Sequence, residues 1–281
     1  ANPALPRVAG LPEFGGHRVH VSEIDAWVLH EEPLLPLAGA PPSEEELTIA
    51  RQCNELIGSG STLQFGIGGI PDEIARELAA GPDEDLGSHT EMLSDGVMHL
   101  HRAGKVTNQK GLYDGVTVAT FALGSPDLYA WMDGNPDLRM LPVGAVNEPA
   151  LLRQLRSFVS INGALAVDLR GQVAADYVGG RQYSGIGGHH SFVQGAREAP
   201  GGMSLLCFKS TAEVQGTRVS TIVPRLPAQM TVTTPRHHVH WVVTEFGHAD
   251  LSVLGDRGRA AALVDLAHPD FRDELRAVAA V

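Results

Sequence analysis

Apolar and polar residues recur with two different periods along this chain, and the changes of period mark its elements. Ser43 followed by Glu46 is a capping box, and Ile49, Cys53, Leu56 and Ile57 repeat behind it at helical spacing. That helix is expected to stop at Gly58 or Gly60. Residues 62–65 read as a short buried strand. Pro71 stands as the first residue of a second helix, PDEIARELAA, with Asp72 and Glu73 favourable at its positive end. Helical and strand patterns then take turns, with 96–103 helical, 116–123 a strand, 127–132 helical and 138–143 a strand. The second half is richer in β, with strands expected at 158–161, 164–169, 204–208, 219–223, 230–233 and 241–244. A last helical segment, 258–278, is interrupted at His268-Pro269.

This is the rhythm of an α/β fold, a largely parallel sheet flanked by helices. Residues 1–43 depart from it. They hold seven prolines and one strand-like run, 17–24, after which Pro33, Pro36, Pro41 and Pro42 make a stiff, extended connection. One compact domain over 44–281 with an N-terminal arm over 1–43 is the economical expectation. The chain shows no internal repeat and no low-complexity segment.

Composition narrows the function classes. At 43% hydrophobic, the chain can bury one large core, or one core and a smaller lobe. Lys+Arg 21 against Asp+Glu 33 gives a net charge of -12, which argues against a nucleic-acid or anionic-membrane surface. A local basic pocket for a phosphorylated ligand remains compatible with it. No apolar run approaches the ~20 residues that span a bilayer, and no basic-then-apolar leader pattern opens the chain. Cys53 and Cys207 are the only cysteines and lie in no metal or redox spacing, so a cytoplasmic setting is the simplest expectation.

Candidate chemistry concentrates in a few segments. Gly66-Ile67-Gly68-Gly69 follows an expected strand and opens a helix, so its backbone N–H groups suit a phosphate or a developing oxyanion; a ligand-free tight turn is the competing reading. It lacks the Lys-Ser/Thr of a P-loop and the third glycine of a dinucleotide fingerprint. Glu91, in SHTEMLSDG, has no Lys or Arg nearby in sequence and is either a nucleophile or general base, or an exposed acid at a strand end. Asp95 has the same two readings or caps the helix expected near Gly96. A second glycine-rich turn, Gly185-Ile186-Gly187-Gly188-His189-His190-Ser191-Phe192, is bracketed by Gly179-Gly180 and Gly201-Gly202 and is either an oxyanion hole or a mobile surface loop. Two such turns with one carboxylate are more specific than either alone.

Thirteen histidines invite a metal reading. His238 and His240 would share one face of a strand, and His189 and His190 are adjacent, but neither set has a zinc spacing, so no metal is expected. His99 and His101 are expected to decorate a helix. Thr244 to Gly247, Arg257 and Arg259 read as strand-end and helix-start structure; an Arg contact to a phosphate has no motif behind it.

In order along the chain, these segments resemble the acetyl-CoA hydrolase/transferase family, in particular its 4-hydroxybutyrate CoA-transferase-like members within the class I CoA-transferases. LQFGIGGIPDEI matches the family's L-Q-x-G-I-G-x-I-P turn, and LGSHTEMLSDGV its L-G-x-H-[ST]-E-x-x-S-D-G. FVSINGALAVDLRGQV matches V-S-I-N-x-x-x-x-V-D-L-x-G-Q; VTEFG and AHPDFRDEL match the closing motifs. The resemblance implies a CoA-transferase-like lobe, the C-terminal of two, with Glu91 as the catalytic glutamate. It further implies that Gly66, Ile67, Gly68, Gly69 and Ile70 form a CoA-contacting turn and that Gly185, Gly187 and Gly188 belong to the CoA and oxyanion loop. Asn147, in VNEP, falls near the active site. The implied reaction is CoA transfer between an acyl-CoA and a small carboxylate through a glutamyl-CoA thioester. An acyl-CoA hydrolase and a non-catalytic CoA-binding or assembly subunit are the alternatives. CoA enters as substrate and no permanently bound cofactor is expected; a homo- or hetero-oligomer is.

Two departures from the family pattern stand out. The family's second glycine loop reads G-G-x-x-D-F, and Ser191 occupies the Asp position. The N-terminal lobe has no counterpart, and ANPALPR resembles the linker that follows it, so a fragment or a separate partner chain carrying that lobe is expected.

Overall fold

The computed structural model describes residues 2–37, 39–66, 68–178 and 181–279. Six strands form the central sheet in the spatial order Gly247–Asp250, Trp241–Thr244, Met203–Cys207, Phe158–Asn162, Thr62–Phe65, Gly87–Ser88. Neighbours are parallel throughout except that Gly247–Asp250 turns back antiparallel on Trp241–Thr244. The fold is therefore the α/β, mostly parallel architecture that the alternating patterns imply. Thr62–Phe65 and Phe158–Asn162 are buried along their whole length, as strands covered on both faces must be.

Alternate residues of these strands feed two cores. Leu63, Phe65, Val159, Ile161 and Leu205 pack with Ile49 and Cys53 of the Glu44–Asn54 helix and Ile74 of the Gly69–Ala80 helix. From the opposite face, Leu206 and Val242 pack with Val193 of the His189–Glu198 helix and Leu263 of the Asp256–Leu266 helix. The capping box at Ser43 is complete: Glu46 N donates to Ser43 Oγ (3.4 Å) and Ser43 N to Glu46 Oε2 (2.8 Å).

Beyond Gly87–Ser88 the parallel arrangement continues toward the N-terminal arm. His89 bridges Val118, Thr117–Ala119 runs beside Leu138–Met140, and Arg139 bridges Ala9. The arm is thus tied to the body through backbone pairing, and the His17 ring adds a 2.5 Å contact to the Met140 carbonyl.

Several expected elements differ. Residues 17–24 form no strand: Val19 and Val21 are 65% and 62% exposed with no strand to pair, and only a 3-10 turn, Val21–Glu23, appears. The first helix stops at Asn54, before either glycine. Pro71 is the third residue of its helix, which begins at Gly69. The expected 116–123 strand breaks at Thr120 into Thr117–Ala119 and Phe121–Ala122, because the two pieces pair with different partners, Leu138–Met140 and Met92–Leu93. Residues 219–223 likewise split into Thr217–Ser220 and Ile222–Val223. Residues 230–233 are not a strand; the Thr233 hydroxyl is committed to Asp176, and only Thr234 bridges Val173. His238 and His240 precede their strand, which starts at Trp241. The helix His189–Glu198, hidden in the sequence by its glycines and histidines, is real and buries Phe192, Val193 and Ala196.

Candidate active site

The site lies where a parallel sheet is expected to hold one, outside the carboxyl ends of its strands. Thr62–Phe65 ends at Gly66, whose N–H donates to Ile161 O of the next strand (2.7 Å). A Cβ at Gly66 would stand 3.1 Å from that same carbonyl and 3.4 Å from Asn162 Oδ1, so the turn needs a glycine for close approach. Gly68 has φ +130°, a backbone that essentially only glycine adopts. Gly69 and Ile70 open the helix, and Ile67 lies outside the described residues. The nearest side chain to Gly69 is the Glu46 carboxylate, which also meets Lys209 Nζ at 3.5 Å. The positive end of this helix therefore already has a carboxylate beside it.

Glu91 follows the neighbouring strand. Gly87 and Ser88 pair in register with Thr62 and Leu63, and His89 N continues the ladder to Leu63 O (3.0 Å). Thr90 locks the exit: its N–H reaches Val118 O (3.0 Å) and its hydroxyl reaches Phe65 O (3.2 Å), the residue before the Gly66 turn. Glu91 O then accepts from Thr120 N and Phe121 N at 2.9 and 3.1 Å. This backbone is held on both sides, and the half-buried side chain is directed by it.

The second glycine turn comes to meet that carboxylate. Gly188 N donates to Glu91 Oε2 at 2.8 Å. A Cβ on Gly188 would lie 2.5 Å from Phe192 Cε2, 2.6 Å from Glu91 Oε2 and 2.7 Å from Asn147 Nδ2, so three neighbours close on a space that holds hydrogen alone. Gly187 takes φ +55°, and its absent Cβ would stand 3.7 Å from Glu91 Oε2. Asn147 terminates the short Val143–Val146 helix, and its Oδ1 is buried without a partner. Glu91, Gly187, Gly188 and Asn147 are thus brought together. Gly185 is exposed, with nothing nearer than Gly187 N at 4.0 Å, and is not part of this cluster. The Gly66–Ile70 turn shares the sheet edge and connects to Glu91 through Thr90. Gly179 and Gly180 lie outside the described residues.

Two buried bases lie close to the Glu91 segment, His89 within it and Lys110 bonded to Ser88 O, and neither was singled out by sequence reasoning. His89 is fully buried and its Nε2 bonds Val146 O (2.8 Å). Burial, then the Lys110 charge, lower its pKa to about 3 against the opposing pull of that carbonyl. Lys110 is also fully buried, with Nζ donating to Val116 O and to Ser88 O (3.3 Å), and burial lowers its pKa to about 7 against the attraction of Asp114. The signal that could have found His89 is its position two residues before Glu91 in the same motif, LGSHTEMLSDGV.

Other candidates resolve as structure. Asp95 is the first residue of the Asp95–Arg102 helix and accepts from Ser125 N (2.9 Å) and Oγ (2.5 Å), fixing the start of the Pro126–Met132 helix. Arg259 is spent on the carbonyls of Leu254 and Arg236. The His190 and His238 rings lie 5.0 Å apart, tilted by 32°, and among the described residues no group of three or more His, Cys, Asp or Glu side chains is arranged to hold a metal. No helix among them is long and apolar enough to cross a membrane. A cleft of about 700 Å³ opens beside Gly68, Gly69 and Met92, one residue past Glu91. Glu46, Asp72, Glu73, Asp95 and Asp127 line it, a set unsuited to a phosphate.

Residues 124–279 match the family described as acetyl-CoA hydrolase/transferase C-terminal domain. The chain is 43% identical over 275 residues to the succinyl-CoA:cyclohexane-1-carboxylate CoA transferase of Geobacter metallireducens, covering 98% of this chain and 61% of that protein. It is 41% identical over 275 residues to the 4-hydroxybutyrate coenzyme A transferase of Clostridium kluyveri, covering 98% and 62%. Among solved structures, RipA from Yersinia pestis superposes with a TM-score of 0.91 at 40% identity, covering 99% of this chain and 61% of that one. The chain spans about three-fifths of the length of the curated relatives it matches.

Proposed function

The chain belongs to the acetyl-CoA hydrolase/transferase family, and on that premise we propose that it transfers CoA between an acyl-CoA and a small carboxylate through a thioester on Glu91. The observation that carries this reading is the 2.8 Å bond from Gly188 N to Glu91 Oε2, with the Asn147 amide beside it. A backbone donor on one carboxylate oxygen orients the other for attack, and it costs no reorganisation when charge develops there.

A Glu91 oxygen attacks the thioester carbonyl, the C–S bond breaks, and a mixed anhydride forms with release of CoA thiolate. The thiolate attacks the glutamyl carbonyl and expels the first carboxylate, leaving a glutamyl-CoA thioester. An incoming carboxylate attacks that carbonyl, expels thiolate again and forms a second anhydride. Thiolate attack on the new acyl carbon releases the product acyl-CoA and restores Glu91. At the two tetrahedral stages centred on the glutamyl carbon the oxygen that faces Gly188 takes the negative charge; at the first and last the acyl oxygen takes it. The Gly66–Ile70 turn and the Gly185–Gly188 loop contact CoA, which is a substrate and not a resident cofactor. Residues 44–281 are the catalytic lobe, residues 1–43 its arm, and the part of the relatives that this chain does not span completes the carboxylate site.

Hydrolysis of the same thioester by water is the second reading. Relatives at 37–43% identity over 94–98% of the chain carry CoA-transferase names, whereas the acetyl-CoA hydrolase of Candida albicans is 27% identical over 76% of it. Transfer is the reading this favours. Ser191 in place of an acid raises a third, binding without turnover, but the Gly188 contact to Glu91 does not depend on residue 191.

The test is incubation with acetyl-CoA or butyryl-CoA without acceptor, followed by mass spectrometry. A CoA adduct on Glu91 that discharges faster with added carboxylate is expected. Discharge at the same rate with or without carboxylate means hydrolysis, and bound CoA with no adduct means a non-catalytic subunit. Glu91→Gln should abolish the adduct in a chain that still folds; unchanged turnover in that variant overturns the mechanism.

A further inference from the structure

We infer that His89 is a positioning residue for the Glu91 site, holding the turn that carries Asn147 against the segment that carries Glu91. The inference rests on the Glu91 reading above and goes beyond it, because His89 touches no reacting atom. Three contacts and two links along the chain close a ring. Glu91 Oε2 accepts from Gly188 N (2.8 Å). Asn147 Nδ2 lies 2.7 Å from where a Cβ on Gly188 would stand. Asn147 is bonded in sequence to Val146, and Val146 O meets His89 Nε2 at 2.8 Å. His89 returns to Glu91 through the chain itself, with only Thr90 between them on the segment that leaves Gly87–Ser88.

The chemistry of the ring fixes its direction. A carbonyl oxygen only accepts, so Nε2 carries the proton and donates. Nδ1 is then an acceptor, buried and without a partner. The imidazole stays neutral near neutral pH, its pKa held at about 3, so His89 itself adds no charge to the site. Its orientation is set on two sides: the Tyr113 ring stacks at 6.1 Å and 9°, and the Phe158 ring meets it edge-on at 6.3 Å and 83°.

The turn needs this support. Val143–Val146 is a four-residue helix, too short to persist by its own hydrogen bonds. Its internal contacts at the functional end are the bond from Asn147 N to Val143 O (2.8 Å) and the burial of Ala145 and Val146. Apolar burial fixes depth, but a directional bond fixes rotation about the turn axis, and rotation is what decides whether the Asn147 amide faces Gly188 and Glu91.

His89→Phe keeps the ring packing and removes the donor, whereas His89→Gln keeps a donor. His89→Phe is expected to slow adduct formation at saturating acetyl-CoA on the order of tenfold to a hundredfold, with KM for acetyl-CoA within about twofold. His89→Gln should recover most of the rate. In an Asn147→Ala background the His89→Phe effect should shrink to within about twofold, since residues that act as a unit are non-additive. Hydrogen exchange in the 143–148 segment should rise in His89→Phe and not in His89→Gln. A His89→Phe chain with unaltered rate and exchange, or full additivity with Asn147→Ala, overturns the inference. Equal damage in both His89 variants also overturns it, since bulk packing would then be the cause. A wild-type chain that forms no adduct overturns the transfer reading instead; the exchange comparison still decides whether His89 holds the turn.

Discussion

At the scale of single residues, space and not backbone conformation explains Gly188. Its φ of -83° is open to any residue, so strain gives no reason for glycine there. The reason is the three atoms within 2.7 Å of a Cβ, one of them the oxygen of Glu91. Gly188→Ala should therefore fold, displace Glu91 or the N–H that reaches it, and cut the rate of Glu91 adduct formation on the order of a hundredfold, the usual cost of one lost oxyanion donor. Single-turnover mass spectrometry reads this directly. His89 ties the same residues to pH. Above the ordinary imidazole value of 6.5 the ring is neutral both folded and unfolded and contributes no pH dependence. Between 6.5 and about 3 the unfolded chain binds a proton that the folded chain refuses, so stability falls as pH falls through that window. The loss should reach a few kcal/mol at the acid end, at about 1.4 kcal/mol per pH unit. Thermal unfolding of wild type and His89→Phe from pH 7 to pH 4 checks it: the variant's stability should fall less steeply.

At the scale of elements, the His189–Glu198 helix shows what a propensity reading loses. HHSFVQGARE offers two histidines, a serine and a glycine, all weak helix formers, and Gly185 to Gly188 before it read as loop. Burial outweighs propensity, because Phe192, Val193 and Ala196 each face a core. Gly195 is what lets the helix close on its neighbour: a Cβ there would meet Leu152 Cβ at 2.4 Å. Two effects oppose each other in Gly195→Ala. Alanine gains about 1 kcal/mol in helix propensity, and overpacking costs about 1–3 kcal/mol. With backbone-adjacent atoms at 2.4 Å the second should win, giving a net loss of roughly 1–2 kcal/mol by denaturant titration. The elements legible in the sequence were those whose pattern and packing agree. Thr62–Phe65 and Trp241–Thr244 occur where their apolar runs put them, and the helix after Ser43 starts at its capping box. Residues 17–24 and 230–233 have strand-like alternation and fail as strands because the first pairs with no neighbouring strand and the second only with the single residue Val173 at its end, which is a property of topology that no local window contains.

At the scale of the whole molecule, the same division separates what was legible in the site. Glu91 and the two glycine turns are visible as residue types in motifs, and the central α/β sheet follows from the alternation of patterns. That Gly188 rather than Gly185 reaches Glu91 follows from a helix whose start the sequence concealed, and His89 becomes informative only once Val146 is seen across from it. The sheet that makes these meetings possible pairs Thr62–Phe65 with Phe158–Asn162, and the latter with Met203–Cys207. Glu91 and Gly188 are 97 residues apart in sequence. Long-range parallel pairings are closed late in folding, because the entropy of each large loop must be spent before its contacts reward it. The carboxylate consequently exists from the moment its segment is made, but its donor arrives only when the sheet is complete. A chain caught midway presents an ordinary glutamate to water, so the bond from Gly188 N to Glu91 appears with the finished topology and with no earlier stage of it.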